Sequence, residues 1–298
     1  MTVYKHSGSL GASVIVAPAL ATVAALLLSL AYAYIDVWSP IAGYISILFV
    51  AGFGFGLMVA LRFIARLSKC RSPAFMGLMG TWTALLSLYA SWGFFLYALL
   101  ARYDDTFDAS MLDVLASPGG MWAMILQIND TGWYSIKSLT PSGGVLWFFW
   151  GIEALIIVGA AVAGGLMAID GEVFCERCMT WCDDSPLTTH LQVPDDSPAN
   201  SFSSGNIKAL EALTVTDAQQ NPHFRLSLKH CSACDRFTTA QLALVRFETN
   251  DKGEVSQKSE DMGPAHVLSA DEVARVKLLA STPPAMESLP VTSDASVF

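Results

Sequence analysis

Residues 10–35 read LGASVIVAPALATVAALLLSLAYAYI, a run with no Asp, Glu, Lys or Arg that closes on Tyr32 and Tyr34, with Trp38 just beyond. A helix needs about 20 apolar residues to cross a hydrocarbon core about 30 Å thick. This run therefore predicts a membrane span with an interfacial aromatic belt at its far end, and Pro18 is placed to kink it. A secretory signal peptide would be shorter, follow a positive stretch and end at small residues. This run is long and ends in large aromatics, so it is read as a retained span.

Three further runs follow at about 41–61, 74–101 and 144–169. Only Asp36-Val37-Trp38-Ser39-Pro40 separates the first two, which predicts an antiparallel hairpin. The third run belongs to an uncharged stretch longer than one crossing needs, so tilt is expected. The composition agrees: 53% of residues are hydrophobic and 14% charged, against about 25% charged in an ordinary soluble domain. Seven of the 17 basic and seven of the 26 acidic residues lie in 1–169, so the whole net charge of −9 falls after that point. The sequence thus predicts a polytopic α-helical membrane domain over 1–169 and a small acidic, water-soluble α+β domain over 170–280.

Orientation follows from Lys and Arg near the span ends. Arg62, Arg66, Lys69 and Arg71 crowd the loop after the second span, whereas the loop 102–143 sets Arg102 and Lys137 against Asp104, Asp105, Asp108, Asp113 and Asp130. The basic loop is therefore expected in the cytoplasm. Four crossings put both termini there too, and a bacterial inner membrane suits this pattern. Within the outer loop, the apolar piece Met111 to Ile128 is broken at Ser117-Pro118-Gly119-Gly120. Two short helices at the outer surface are expected, with a re-entrant segment as the alternative.

Elimination narrows what the spans can carry. None of the five His residues falls in a span, which argues against a haem bundle, and neither an HExxH nor a Walker A motif is present. The ionisable residue well inside a span is Glu153, about 13 Å past Gly144 at 1.5 Å per residue. It is either a proton or cation site or a protonated Glu hydrogen-bonded to a neighbouring helix. Gly52, Gly54 and Gly56, with Gly159, Ala160, Ala163, Gly164 and Gly165, mark close helix packing or a self-association face.

Five of the six cysteines lie after residue 170. Cys175-Glu-Arg-Cys178 starts just past the last span, and Cys231-Ser-Ala-Cys234 follows far downstream. Two such knuckles offer four thiolates, the ligand set of a structural zinc site. Phe224 to Lys229 alternates as a strand into the second knuckle. Thr238 to Glu248 reads as another strand, and Asn250-Asp251-Lys252-Gly253 as a hairpin turn before Glu254 to Lys258.

Knuckles and strands together resemble a zinc ribbon, and the resemblance covers only this part of the chain. It implies one structural Zn2+ on Cys175, Cys178, Cys231 and Cys234, with Cys182 and His230 as possible substitutes. Ribbons serve many functions, so nothing more carries over. The long gap between knuckles departs from a compact ribbon and predicts an insert, 183–213, with a Pro/Asp/Ser-rich stretch and a short helix at Ile207 to Leu213. Cys70 reads as a plain thiol or an acylation site.

Thiol–disulfide exchange is the rival chemistry, but the outer loops hold no Cys, and a cytoplasmic face favours thiolates and metal. Nucleic-acid binding is disfavoured by the domain's acidity, despite Arg225, Lys229 and Arg236. Ser269-Ala-Asp-Glu272 is a capping box opening a helix to about Ala280, with Val273, Val276, Leu278 and Leu279 as its apolar face. The tail 281–298 reads as disordered. The expected function is not enzymatic. It is a membrane-anchored protein-interaction or assembly module, zinc-stapled, with a cytoplasmic protein partner. The alternative is a small transporter or channel-like protein with Glu153 in its pathway, and an enzyme using Asp104, Asp105 and Asp108 is a weaker third.

Overall fold

The computed structural model describes residues 1–39, 42–132, 140–194 and 197–282. The tail reading from 283 onward, and Lys137 of the outer loop, lie outside the described residues. The chain divides into two compact units, one of Ser7–Gly171 and one joining Met1–His6 to the chain from Glu172.

The first unit is helical: α1 (Ser13–Trp38), α2 (Ala42–Leu67), α3 (Pro73–Tyr103), α4 (Met111–Leu115), α5 (Pro118–Thr131) and α6 (Gly143–Leu166). Of these, α1, α2, α3 and α6 are long and apolar enough to cross a membrane. Around the bundle α1 neighbours α2 and α3, and α6 closes the ring by packing on both. Large apolar residues such as Ile15, Leu27, Phe55 and Leu155 face outward, which suits lipid and not water. The seam residues are small. Every fourth residue of α1 from Ser13 through Ala17, Ala21, Ala25, Ser29 and Ala33 to Val37 is buried, and the Ser29 hydroxyl donates to Ser87 O at 3.1 Å.

The expected break at Ser117 separates α4 from α5, and Ser110 opens α4 with a capping box completed by Asp113. Asn129 Nδ2 of α5 donates to Gly143 O at 2.9 Å and ties the two segments together. At the end of α1, Arg102 Nη1 donates to Val37 O at 2.6 Å while its guanidinium lies 4.7 Å over the Trp38 ring. Phe95 of α3 and Trp150 of α6 are linked through Trp92, which stands edge-on to both.

The second unit contains β1 (Thr2–Val3), β2 (Phe174–Cys175), β3 (Thr180–Trp181), β4 (Asp183–Gln192), α7 (Ser197–Ser203), α8 (Lys208–Glu211), β5 (His223–His230), β6 (Thr238–Thr249), β7 (Val255–Asp261), β8 (His266–Val267) and α9 (Ala270–Ser281). An antiparallel sheet runs in the order β1-β8-β6-β5-β4, and β7 pairs with β6 beyond β8. Phe224, Leu226 and Leu228 alternate with Arg225, Ser227 and Lys229, so one face of β5 is apolar. That face packs with Leu242 of β6, Phe202 of α7, Leu210 of α8 and Val276 of α9. The capping box of Ser269 and Glu272 forms as read.

Three expectations change. Asp183–Gln192, the start of the expected insert and read as a Pro/Asp/Ser-rich stretch, forms the strand β4. Its Thr188–Gln192 stretch pairs with β5, and Pro186, which has no N–H to donate, sits in the irregular step between Asp184 and Thr188. Met1–His6 leaves the helical unit because Thr2 and Val3 pair with Val267 and His266. Leu278 is exposed, since α9 turns Val276 inward and Leu278 lies on the opposite face.

His266 is buried edge-on to Phe202, with ring centroids 5.2 Å apart. Burial holds its pKa below the usual histidine range. The unfolded chain therefore takes up this proton first as pH falls. Stability from this residue is complete above the unfolded value near 6.5 and is lost as pH drops through the depressed one. His190, lowered first by burial and then by the neighbouring His223, acts with the same sign. The stability gap between the wild type and His266→Gln is expected to shrink from pH 7.5 to pH 5.5 in thermal unfolding of the full chain. A constant gap would contradict this.

Candidate metal centre

Both CxxC pairs sit on tight turns. The first lies in the β2–β3 hairpin, where Cys175 pairs with Thr180. The second joins β5 to β6, whose ladder runs up to the pair His230 and Thr238. In each, the residue after the second cysteine has positive φ: Met179 at 53° and Asp235 at 50°. This left-handed step turns backbone N–H groups back toward sulfur. The amides of Ala233 and Cys234 reach the Cys231 sulfur, and that of Arg236 reaches Cys234.

The long gap between knuckles is closed by the sheet. β4 leaves the first knuckle, β5 returns to the second, and Asp183 pairs with His230 across the ladder. Cys182 and Cys231, the residues flanking that pair, are thereby brought into one cluster with Val173 and Cys175.

The sulfurs of Cys175, Cys178, Cys231 and Cys234 all lie within 4.8 Å of one another, with Cys175 and Cys234 at 4.0 Å. Sulfurs bound at about 2.3 Å around a tetrahedral metal are about 3.8 Å apart, whereas a disulfide holds them at about 2.05 Å. The four residues are free thiols placed to hold a metal ion. Cys175 and Cys231 are buried, while Cys178 and Cys234 are half-buried.

Proton sharing in the cluster is unequal. Cys234 is pulled down to about 7, first by the Arg236 amide and then by the Cys178 thiol. Cys178 is pushed up to about 12, chiefly because it donates to Cys234. Cys182 packs behind the cluster, pushed up to about 12 by burial. Neither Cys182 nor His230 belongs to the group of four. Cys70 is buried, its thiol pointing at Ser72 O at 3.8 Å.

In the helical unit, Glu153 lines a cavity of about 70 Å³ that also takes in Tyr32, Asp36 and Trp92. Asp36, expected in the turn after the first span, instead lies within α1. The helix continues through it to Trp38, and the spacing of four from Tyr32 to Asp36 puts both on one face.

Comparison with protein-family models, curated proteins and solved structures finds no match.

Proposed function

We propose that this chain is a membrane-anchored interaction module whose soluble unit is held together by one structural Zn2+ and presents its sheet to a protein partner. The observation that carries the reading is the convergence of four cysteine sulfurs within 4.8 Å on two turns of opposite ends of the chain segment. An all-thiolate tetrahedral set selects zinc over harder cations and leaves no open position for catalysis. The unit is small for a one-sided sheet, where a metal compensates for limited apolar burial.

Both Met1–His6 and the chain from Glu172 build this unit, so an even number of crossings separates its two pieces. The basic loop of Arg62, Arg66, Lys69 and Arg71 supports a cytoplasmic location for the unit, and a bacterial inner membrane suits this pattern. For the partner, β7 offers a strand exposed along its whole length, paired on one side with β6. Strand addition at such an edge supplies main-chain hydrogen bonds to an extended peptide.

The test is elemental analysis of the full-length protein purified without added metal. A fragment 170–298 would lack β1. One zinc per chain is expected, together with proximity labelling in cells that loses its specific targets when Pro replaces Gln257 in β7. Iron, or no metal, would sink the structural-zinc reading, and unchanged targets would sink the β7 edge as the docking surface.

A further inference from the structure

The cavity in the helical unit lies where the last turns of α1 meet α3 and the first half of α6. Five of its lining residues are aromatic, Tyr32, Trp92, Phe95, Phe149 and Trp150, and Ser46 of α2 and Ser91 of α3 bring hydroxyls. Trp92 and Trp150 stand perpendicular with centroids 4.9 Å apart, while Tyr32 is held by stacking on Phe53 at 4.8 Å. Rings fixed in this way present stable faces to a ligand. At about 70 Å³ the space exceeds what a single water requires.

Two carboxylates, Asp36 and Glu153, open into this aromatic enclosure. Among the described residues neither has a hydrogen-bond or ion-pair partner. Intramembrane carboxylates normally pair with a cation, a donor or water, and two that share one low-dielectric space also repel each other. A positive guest relieves both conditions. Ser46, Ser91 and Tyr32 add hydroxyls to the two carboxylates, yet most of the wall is ring and aliphatic surface, which gives a small inorganic cation no oxygen ligand. An organic ammonium instead gains from the ring faces and from the carboxylates together.

A second groove, of about 440 Å³, adjoins the cavity between α3, α5 and α6. The two spaces share Leu88, Trp92, Trp150 and Ala154 as a common wall. The groove is lined by Leu85, Met121, Trp122 and Ile125 and carries no charged side chain. Charge on one side of a tryptophan pair and apolar surface on the other match a molecule that has both.

We propose that the helical unit binds an amphiphilic organic cation, its ammonium group held between Asp36 and Glu153 and its apolar part against Trp92 and Trp150. Binding here is separate from the cysteine cluster and independent of the metal it holds.

The test uses the full chain in nanodiscs of uncharged phosphatidylcholine, with benzyltrimethylammonium as the probe in equilibrium dialysis. One saturable site per chain is expected. Asp36→Asn and Glu153→Gln, which keep side-chain shape, should each weaken it at least tenfold while leaving the metal content unchanged. Neopentylbenzene, the uncharged isostere of the probe, should fail to compete. Absence of saturable binding overturns the proposal, as does wild-type affinity in both variants. If a variant fails to give folded protein, competition on the wild type decides: displacement by neopentylbenzene at equal concentration also overturns it.

Discussion

On the proposed zinc centre, replacing Cys231 with Ser is expected to abolish metal binding and unfold the soluble unit while leaving the helical one intact. Cys231 is wholly buried, its sulfur receives two backbone amides, and it stands where β5 meets the second knuckle. Losing one thiolate leaves three ligands around a metal that requires four. Structural zinc contributes about 10–16 kcal/mol in zinc-finger peptides, and a whole domain has a net stability of about 5–15 kcal/mol. Removing the metal therefore takes an amount comparable with everything that keeps the unit folded. The expected readout in the full chain is metal content near zero, rapid proteolysis after residue 172, and a retained helical signal from the bundle. Cys182→Ser is the matched control. It is just as buried but outside the four ligands, so it should keep its metal and cost about 1–3 kcal/mol for the buried hydroxyl. A Cys231→Ser protein that keeps metal and resists protease like the wild type would remove the centre's structural role.

What was legible in the sequence divides along a physical line. The four long helices could be read because a run of apolar residues is a property of consecutive positions, and lipid demands nothing else. The knuckles could be read because metal-ligand spacing within each CxxC is equally local. Elements that exist only through distant pairing could not be read. β1 is two residues long and is a strand only because β8, at the other end of the chain, accepts it. β4 shows a short alternation interrupted by Pro186 and draws its hydrogen bonds from β5. Taken without that partner, it looked like an insert lengthening a ribbon. In the structure the same stretch is the route by which the two knuckles meet. Asp36 was lost for a different reason. Charge was treated as ending a span, yet a helix can carry a carboxylate past the end of its apolar run when a cavity receives it. The small-residue stripe of α1 was available at a strict spacing of four, but alanines and serines among leucines give little hydropathy contrast.

The same packing logic carries the second large effect. Gly165→Val will break the contact between α3 and α6 and unfold the helical unit under conditions where the wild type survives. A Cβ at Gly165 would overlap Met76 O and come within 2.9 Å of Gly80 Cα; one at Gly80 would sit 2.5 Å from Ala161 O. These are backbone atoms, so no side-chain rotation makes room and the helices must separate. In lipid the hydrophobic effect does not drive helices together, and their association rests on dispersion at close approach. Moving the backbones apart by one side-chain layer forfeits those contacts along the α3–α6 seam, where Gly77 also meets Leu166. Overpacking a rigid core costs about 1–3 kcal/mol, and a backbone-on-backbone seam belongs at or above the top of that range. Gly159→Ala supplies the contrast on the same helix: nothing lies within 4 Å of the added Cβ, and alanine favours helix over glycine by about 1 kcal/mol. Denaturant titration in mixed micelles, followed by tryptophan emission, should place the Gly165→Val midpoint well below the wild type and that of Gly159→Ala at or above it. Because the soluble unit has its own core, Gly165→Val should bind as much metal as the wild type. Coincident midpoints for the two variants would mean that α3 and α6 do not meet at these glycines.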